Sequence, residues 1–149
     1  MGTPLIRRLQ VHHAVIRQGT EALSWKRPAK ASAVHSDPYA AEFLVDGDMN
    51  SRWAAPDNVG PESWVEIDLG RARHVGRATA SELADRVRKF RVEGRHKAHE
   101  PWRTLIEGGG IGHVWKQEIE ATTARWIRLH ILETTGPPTL WEFHVYERP

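Results

Sequence analysis

The chain has 149 residues, 40% hydrophobic and 27% charged, a size and balance that suit one folded domain and exclude wholesale disorder. It has no cysteine, which excludes disulfides and thiolate metal or redox sites. Its net charge of +2 is gathered in residues 1–30, which hold six Lys/Arg and one acid. Residues 31–149 hold fifteen basic and eighteen acidic residues, so the main domain lacks the electrostatic footprint of a nucleic-acid binder.

Residues 1–29 show weak periodicity and a basic bias, and are predicted to form a leader or linker, with the domain spanning 30–149. "MGTPLIRRLQVHHAVI" is broken by Arg and His and does not make a signal peptide. No apolar run approaches the ~18–20 residues of a membrane span, so no membrane partner is expected. Beyond residue 30, short strand signals alternate with Gly, Pro, Asn and Asp clusters, the pattern of an all-β sandwich or barrel. In "WVEIDLG", Val65, Ile67 and Leu69 alternate with Trp64, Glu66 and Asp68. "ASELADRVRKF" is the one candidate for a helical turn. "RKFRVEGR" alternates about Phe90 and Val92. "EGGGIGH" and "TTGPPT" are loops on either side of "ARWIRLHIL", where Ile127, Leu129 and Ile131 share a face. "LWEFHVYE" closes the chain, with Trp141, Phe143 and Val145 set against Glu142, His144 and Tyr146. A period of two places one face of each strand in a core.

The densest polar cluster is "VDGDMNSRW". Asp46 and Asp48 stand at i and i+2 with Ser51 a turn onward, and Gly47 permits a sharp bend. A hard cation such as Ca²⁺ wants about six to eight oxygens, which such a loop could begin to supply. The spacing is not that of an EF-hand, because Ser51 stands at the obligatory glycine and Asp57 at the bidentate glutamate. From spacing alone two readings stay open, a cation cage and a plain Asx-rich turn, and the turn is favoured.

Features that could suggest catalysis have simpler readings. Glu66 and Asp68 are roughly 7 Å apart by strand geometry, but they lie mid-strand on the polar face. His96 and His99 in "HKAHE" have no third ligand beside them and fit a hairpin tip. "EGGGIGH" lacks the Lys-Ser/Thr of a phosphate loop, and neither G-x-S-x-G nor H-E-x-x-H occurs. No enzymatic activity is expected of this chain.

"VDGDMNSRWAA", "SWVEIDLG", "TARWIRLHI" and the terminal "LWEFHVYE", in that order, resemble the coagulation factor V/VIII type C (discoidin-like) superfamily. Within it the chain is similar to the family 32 carbohydrate-binding modules. Its "ADRVRKFRVEGR" to "WEFHVYE" region resembles the C-terminal module of bacterial α-L-fucosidases. The resemblance covers about residues 30–147. It implies an all-β fold, an eight-stranded jelly-roll β-sandwich like other galactose-binding domains. It also implies a structural calcium ion held by the carbonyl of Phe43, the side chains of Asp46, Asp48 and Ser51, the carbonyl of Trp141 and the carboxylate of Glu142.

The resemblance further implies a non-catalytic module that brings an appended or partner glycoside hydrolase, such as a fucosidase, to galactose- or fucose-type glycans. The module would act as a monomer within a longer protein that is secreted, periplasmic or at the cell surface. The loops at the sugar-binding end would offer His35, Tyr39, Asp57, Asn58, Glu82, Arg86 and Glu133. Arg86 and Glu82 would grip hydroxyls, and Tyr39 would supply the apolar platform. The Trp or Phe that commonly forms the family's platform has no counterpart at a loop tip. That departure keeps a second reading open, a structural appendage of a glycosidase that binds no sugar. Of the seven tryptophans, Trp53, Trp64, Trp126 and Trp141 occupy positions that are core in the family. Trp102 is read as a strand-edge anchor, while Trp25 and Trp115 have no assigned role.

Overall fold

The computed structural model describes residues 22–57 and 62–148, and nearly all of their regular structure is extended. The strands are β1 (Ala29–Ala31), β2 (Trp53–Ala54), β3 (Ser63–Glu82), β4 (Val87–Arg95), β5 (Arg103–Gly108), β6 (Trp115–Thr134) and β7 (Thr139–Glu147). Two short 3-10 helices, Asp37–Tyr39 and Ala41–Leu44, lie between β1 and β2. No helical turn forms in "ASELADRVRKF". There the Glu82 carboxylate is drawn inward and accepts from the N–H groups of Val87 (3.3 Å) and Gly112 (3.0 Å), which fixes an open turn between β3 and β4.

All pairing is antiparallel. Residues 63–68 of β3 pair with 126–131 of β6, and residues 73–80 pair with 115–124, with the register broken between. Gly70 stands at the break with φ +89, a conformation that favours glycine because it has no Cβ to clash. Each long strand thus crosses from one layer of the sandwich to the other. One layer runs β1-β3-β6-β4-β5 and the other β6-β3-β7-β2. Seven strands are present among the described residues where eight were expected; β3 and β6 each serve both layers, so the layers hold five and four.

Between the layers lie Val65, Ile67, Phe90, Val92, Ile127, Leu129 and Ile131 from one side, and Trp53, Ala78, Ala80, Phe143 and Val145 from the other. Trp53 is fully buried, as predicted, and its indole N–H donates to the Ala33 carbonyl at 3.2 Å. Each large side chain here contributes roughly 1.5–3 kcal/mol by leaving water.

Three of the tryptophans expected in the core are not there. Trp64 and Trp126 are half-buried on the outer face of the larger layer, in step with Glu66 and Asp68. They form a stack with arginines, in which Arg128 lies between Trp64 (6.0 Å) and Trp102 (4.6 Å), and Arg95 between Trp102 (4.2 Å) and Trp126 (5.8 Å). Carboxylates fix the guanidinium groups: Glu66 pairs with Arg95 at 3.2 Å, Glu93 with Arg128 at 2.8 Å and Asp68 with Arg125 at 2.9 Å. The indole faces are therefore occupied by cations. Trp141 leaves the core for another reason. Ser81 pairs with Glu142 and Glu82 with Leu140, so Trp141 is the extra residue of a β-bulge. The bulge turns Leu140 inward and Trp141 outward.

The predicted leader extends too far. Residues 1–21 lie outside the described residues, but 22–28 already belong to the domain. The Leu23 N–H donates to the Val145 carbonyl (2.9 Å) and the Lys26 N–H to the Val45 carbonyl (2.6 Å), and Ser24 is fully buried. This segment covers the outer face of β7, which explains why Glu142 and His144 are buried on a strand face expected to be wet.

Candidate functional site

The "VDGDMNSRW" loop closes on itself through short-range bonds. Asp46 Oδ1 accepts from the Asp48 N–H (2.9 Å), Asp48 Oδ1 from the Asn50 N–H (2.8 Å), and the Ser51 hydroxyl donates to Asp46 Oδ2. The first two are Asx-turn bonds, as the turn reading expects. Gly47 at the bend has φ +74, and a Cβ there would come 3.1 Å from Trp25 Nε1. Trp25 therefore packs on this loop, a role that its place in the leader gave no sign of.

Facing the loop from β7 is Glu142, 2% exposed, with neither carboxylate oxygen hydrogen-bonded. The Gly47 N–H leans toward it without making a full bond. Burial first, then the charges of Asp46 and Asp48, push its pKa up to about 10. Burial also raises Asp46. His144 Nε2 is 3.4 Å from Glu142 Oε2, but burial holds the His144 pKa down at about 4. Near neutral pH both groups are uncharged, so this is not a salt bridge. The Ser24 hydroxyl sits 3.0 Å from His144 Nδ1 and accepts from the Val145 N–H.

Among the described residues no three Asp, Glu or His groups converge as a ready-made metal cluster. The chemistry of the donors nevertheless suits a hard cation. Asp46, Asp48, Ser51 and Glu142 offer only oxygen, and the two orphaned oxygens of Glu142 are what a buried carboxylate without a cation would leave. Phe43 and Trp141, expected to contribute carbonyls, flank the same loop in the 3-10 helix Ala41–Leu44 and in the bulge.

Beside the loop, at one end of the sandwich, lies a shallow groove of about 210 Å³. His35, Tyr39, Asp57 and Arg86, four of the residues predicted for sugar, line it together with Arg52, Leu83 and the Pro137–Thr139 segment. His35 and Tyr39 meet edge to face at 5.4 Å. Arg86 is pinned by a 2.8 Å bond from Nη1 to the Pro137 carbonyl, and its stem lies along Gly136. Arg52 was not foreseen. Its guanidinium lies 4.8 Å from the Tyr39 ring and 5.6 Å from the Trp141 ring. The available signal was its place before buried Trp53, which turns its neighbours outward.

The other predicted residues are elsewhere. Glu82 is 1% exposed and spends its oxygens on the turn, and burial raises its pKa, so it cannot grip a ligand in the groove. Glu133 is exposed on β6 opposite Lys89 and does not line the groove. Asn58 lies outside the described residues.

The chain is thus a two-layer antiparallel β-sandwich whose loops make a groove at one end. The chain belongs to the F5/8 type C domain family, which its residues 28–143 match. No match was found among curated protein sequences. Several solved structures share the fold. Chitosan-binding module 1 from a chitosanase/glucanase of Paenibacillus sp. IK-5 is 25% identical, with a TM-score of 0.79 over 84% of this chain and 98% of the module. The Ruminococcus gnavus GH29 fucosidase, solved in complex with fucose, is 24% identical with a TM-score of 0.79 over 87% of this chain but only 27% of the enzyme. The Clostridium perfringens module CpGH89CBM32-5, solved in complex with GalNAc-β-1,3-galactose, is 22% identical with a TM-score of 0.75 over 84% of this chain and 99% of the module. The structural relatives are thus carbohydrate-binding modules and the non-catalytic part of a fucosidase.

Proposed function

We propose that this chain is a non-catalytic carbohydrate-binding module that holds an appended or partner glycoside hydrolase, such as a fucosidase, near galactose- or fucose-type glycans outside the cytoplasm. The observation that carries this reading is the groove, where His35, Tyr39, Asp57 and Arg86 come together from three loops. At about 210 Å³ it is smaller than the ~300–1,000 Å³ of drug-sized pockets, a scale that suits one or two sugar rings. Calorimetric titration against neutral, amino and acidic glycans tests it, and silence across all of them overturns it.

The calcium ion belongs to the same proposal. Asp46, Asp48, Ser51 and Glu142, with the carbonyls of Phe43 and Trp141, would hold it, and the ion would supply the positive charge that lets Glu142 ionise. Its role is structural: it ties the first loop to the last strand beside the groove, and so stabilises the native state. Chelation of a calcium-loaded sample should lower Tm, because an ion bound only by the folded state stabilises it.

One observation favours the alternative, a structural appendage that binds no sugar. The Tyr39 ring, the aromatic expected as a platform, is already stacked by Arg52. On that reading, deleting the module from its parent enzyme lowers stability and leaves affinity for polymeric substrate unchanged.

A further inference from the structure

Five of the thirteen arginines among the described residues are matched by acids. Arg88, Arg91, Arg95, Arg125 and Arg128 each reach a carboxylate within 3.3 Å. The two in the groove are not: among the described residues neither Arg52 nor Arg86 makes an ion pair with an acid. Both are half-buried and both are held in place by neutral groups, Arg52 between two aromatic rings and Arg86 on the Pro137 carbonyl. Among the described residues the Arg52 guanidinium makes no hydrogen bond, and one carbonyl takes only one of the five donors of Arg86. Among the described residues the one acid that lines the groove, Asp57, is exposed on its rim, where water screens it.

We infer that the groove selects glycans bearing a negative group, a uronate carboxylate or a sulfate ester, over neutral sugars and over amino-sugar chains. The inference rests on the groove being the sugar site proposed above. A planar fork matches a carboxylate or sulfate edge, and two fixed forks in one groove leave little side-chain entropy to lose on binding. The same two charges repel the ammonium groups of a chitosan chain, so the ligand named for the Paenibacillus module would be disfavoured here.

The test is calorimetric titration of the intact chain with four probes: a neutral galacto-oligosaccharide, its uronate counterpart, its sulfated counterpart and a chitosan oligomer, each at low and high salt. A charged acceptor on a guanidinium exceeds a neutral one by enough to give about tenfold tighter binding. At least one anionic probe should therefore bind about tenfold tighter than the neutral one, and the uronate and sulfate arms show which group is read. High salt should erode that preference, and R86Q should bring the anionic and neutral probes to similar affinity. Equal affinity for neutral and anionic probes, tighter binding of the chitosan oligomer, or an undiminished preference in R86Q overturns the inference while leaving a sugar-binding module in place. Failure of all four probes overturns the sugar-site reading itself. Should R86Q not fold, the salt dependence of the unaltered chain decides the matter alone.

Discussion

Replacing Glu142 by glutamine isolates what a buried carboxylate costs the fold when no cation is present. Burial, then Asp46 and Asp48, set its pKa at about 10, against 4.5 for an ordinary glutamate. An acid raised on folding keeps a proton in the native state that the unfolded chain gives up, so stability falls as pH rises between the two values. The penalty is absent below about pH 4.5 and complete only above about 10. At about 1.36 kcal/mol per pH unit, the interval from 4.5 to 7 amounts to about 3 kcal/mol at neutral pH. Glutamine has the same shape and no proton to lose. In chelator near pH 7, Glu142→Gln should melt roughly 10 °C above the unaltered chain. The gap should close toward pH 4.5 and widen toward pH 9. Burial holds His144 at about 4, so it stays neutral in the folded state through most of this range. Calcium should then reverse the order, raising Tm of the unaltered chain and leaving Glu142→Gln nearly unmoved. Thermal melts by circular dichroism across this range, with and without the ion, provide the measurement. A variant that is the less stable of the two in chelator, or a gap indifferent to pH, refutes the reasoning.

Three further outcomes are expected. Trp102→Ala removes the ring between Arg95 and Arg128 and should cost about 1–2 kcal/mol in urea unfolding; no loss would mean that the stack adds nothing to stability. Gly47→Ala should cost more than Gly112→Ala, which has similar positive φ but nothing within 4 Å of the added Cβ. The loss at Gly112 should be about 1 kcal/mol of backbone strain, and the excess at Gly47 measures the Trp25 contact. Glu93→Ala leaves the Arg128 guanidinium and His130 without their shared carboxylate (2.8 and 3.1 Å) and should cost about 3 kcal/mol by chemical denaturation, with Glu93→Gln losing clearly less.

What the sequence revealed was local in origin. The alternation in "WVEIDLG" and "ARWIRLHIL" marks strands because a strand's faces repeat every two residues, and the Asp46–Ser51 turn is held by bonds to neighbours two to five residues away. What stayed hidden depends on distant partners. The bulge that throws Trp141 outward exists only against the register of β3. Alternation alone sets Trp64 and Trp126 on the outer face, and what stayed hidden is the arginine over each ring, Arg128 and Arg95, arriving from other strands. Membership of a loop did not tell that Glu82 turns inward while Arg86 turns out, because backbone donors from Val87 and Gly112 decide it. Four of the seven predicted sugar residues meet in the groove, since loops at one end of a sandwich converge whatever their sequence distance.

The two twenty-residue strands bear on how the domain folds. Because β3 and β6 pass through both layers, neither layer can come apart without unzipping the centre of the other. Unfolding should therefore be a single transition, with no half-open sandwich populated. Folding has to wait until Ser63 finds Ile131 and Ala80 finds Trp115, pairings that close long stretches of chain before they gain any contact energy. Slow formation and all-or-none loss leave the loops at the groove end on a scaffold that does not open piece by piece.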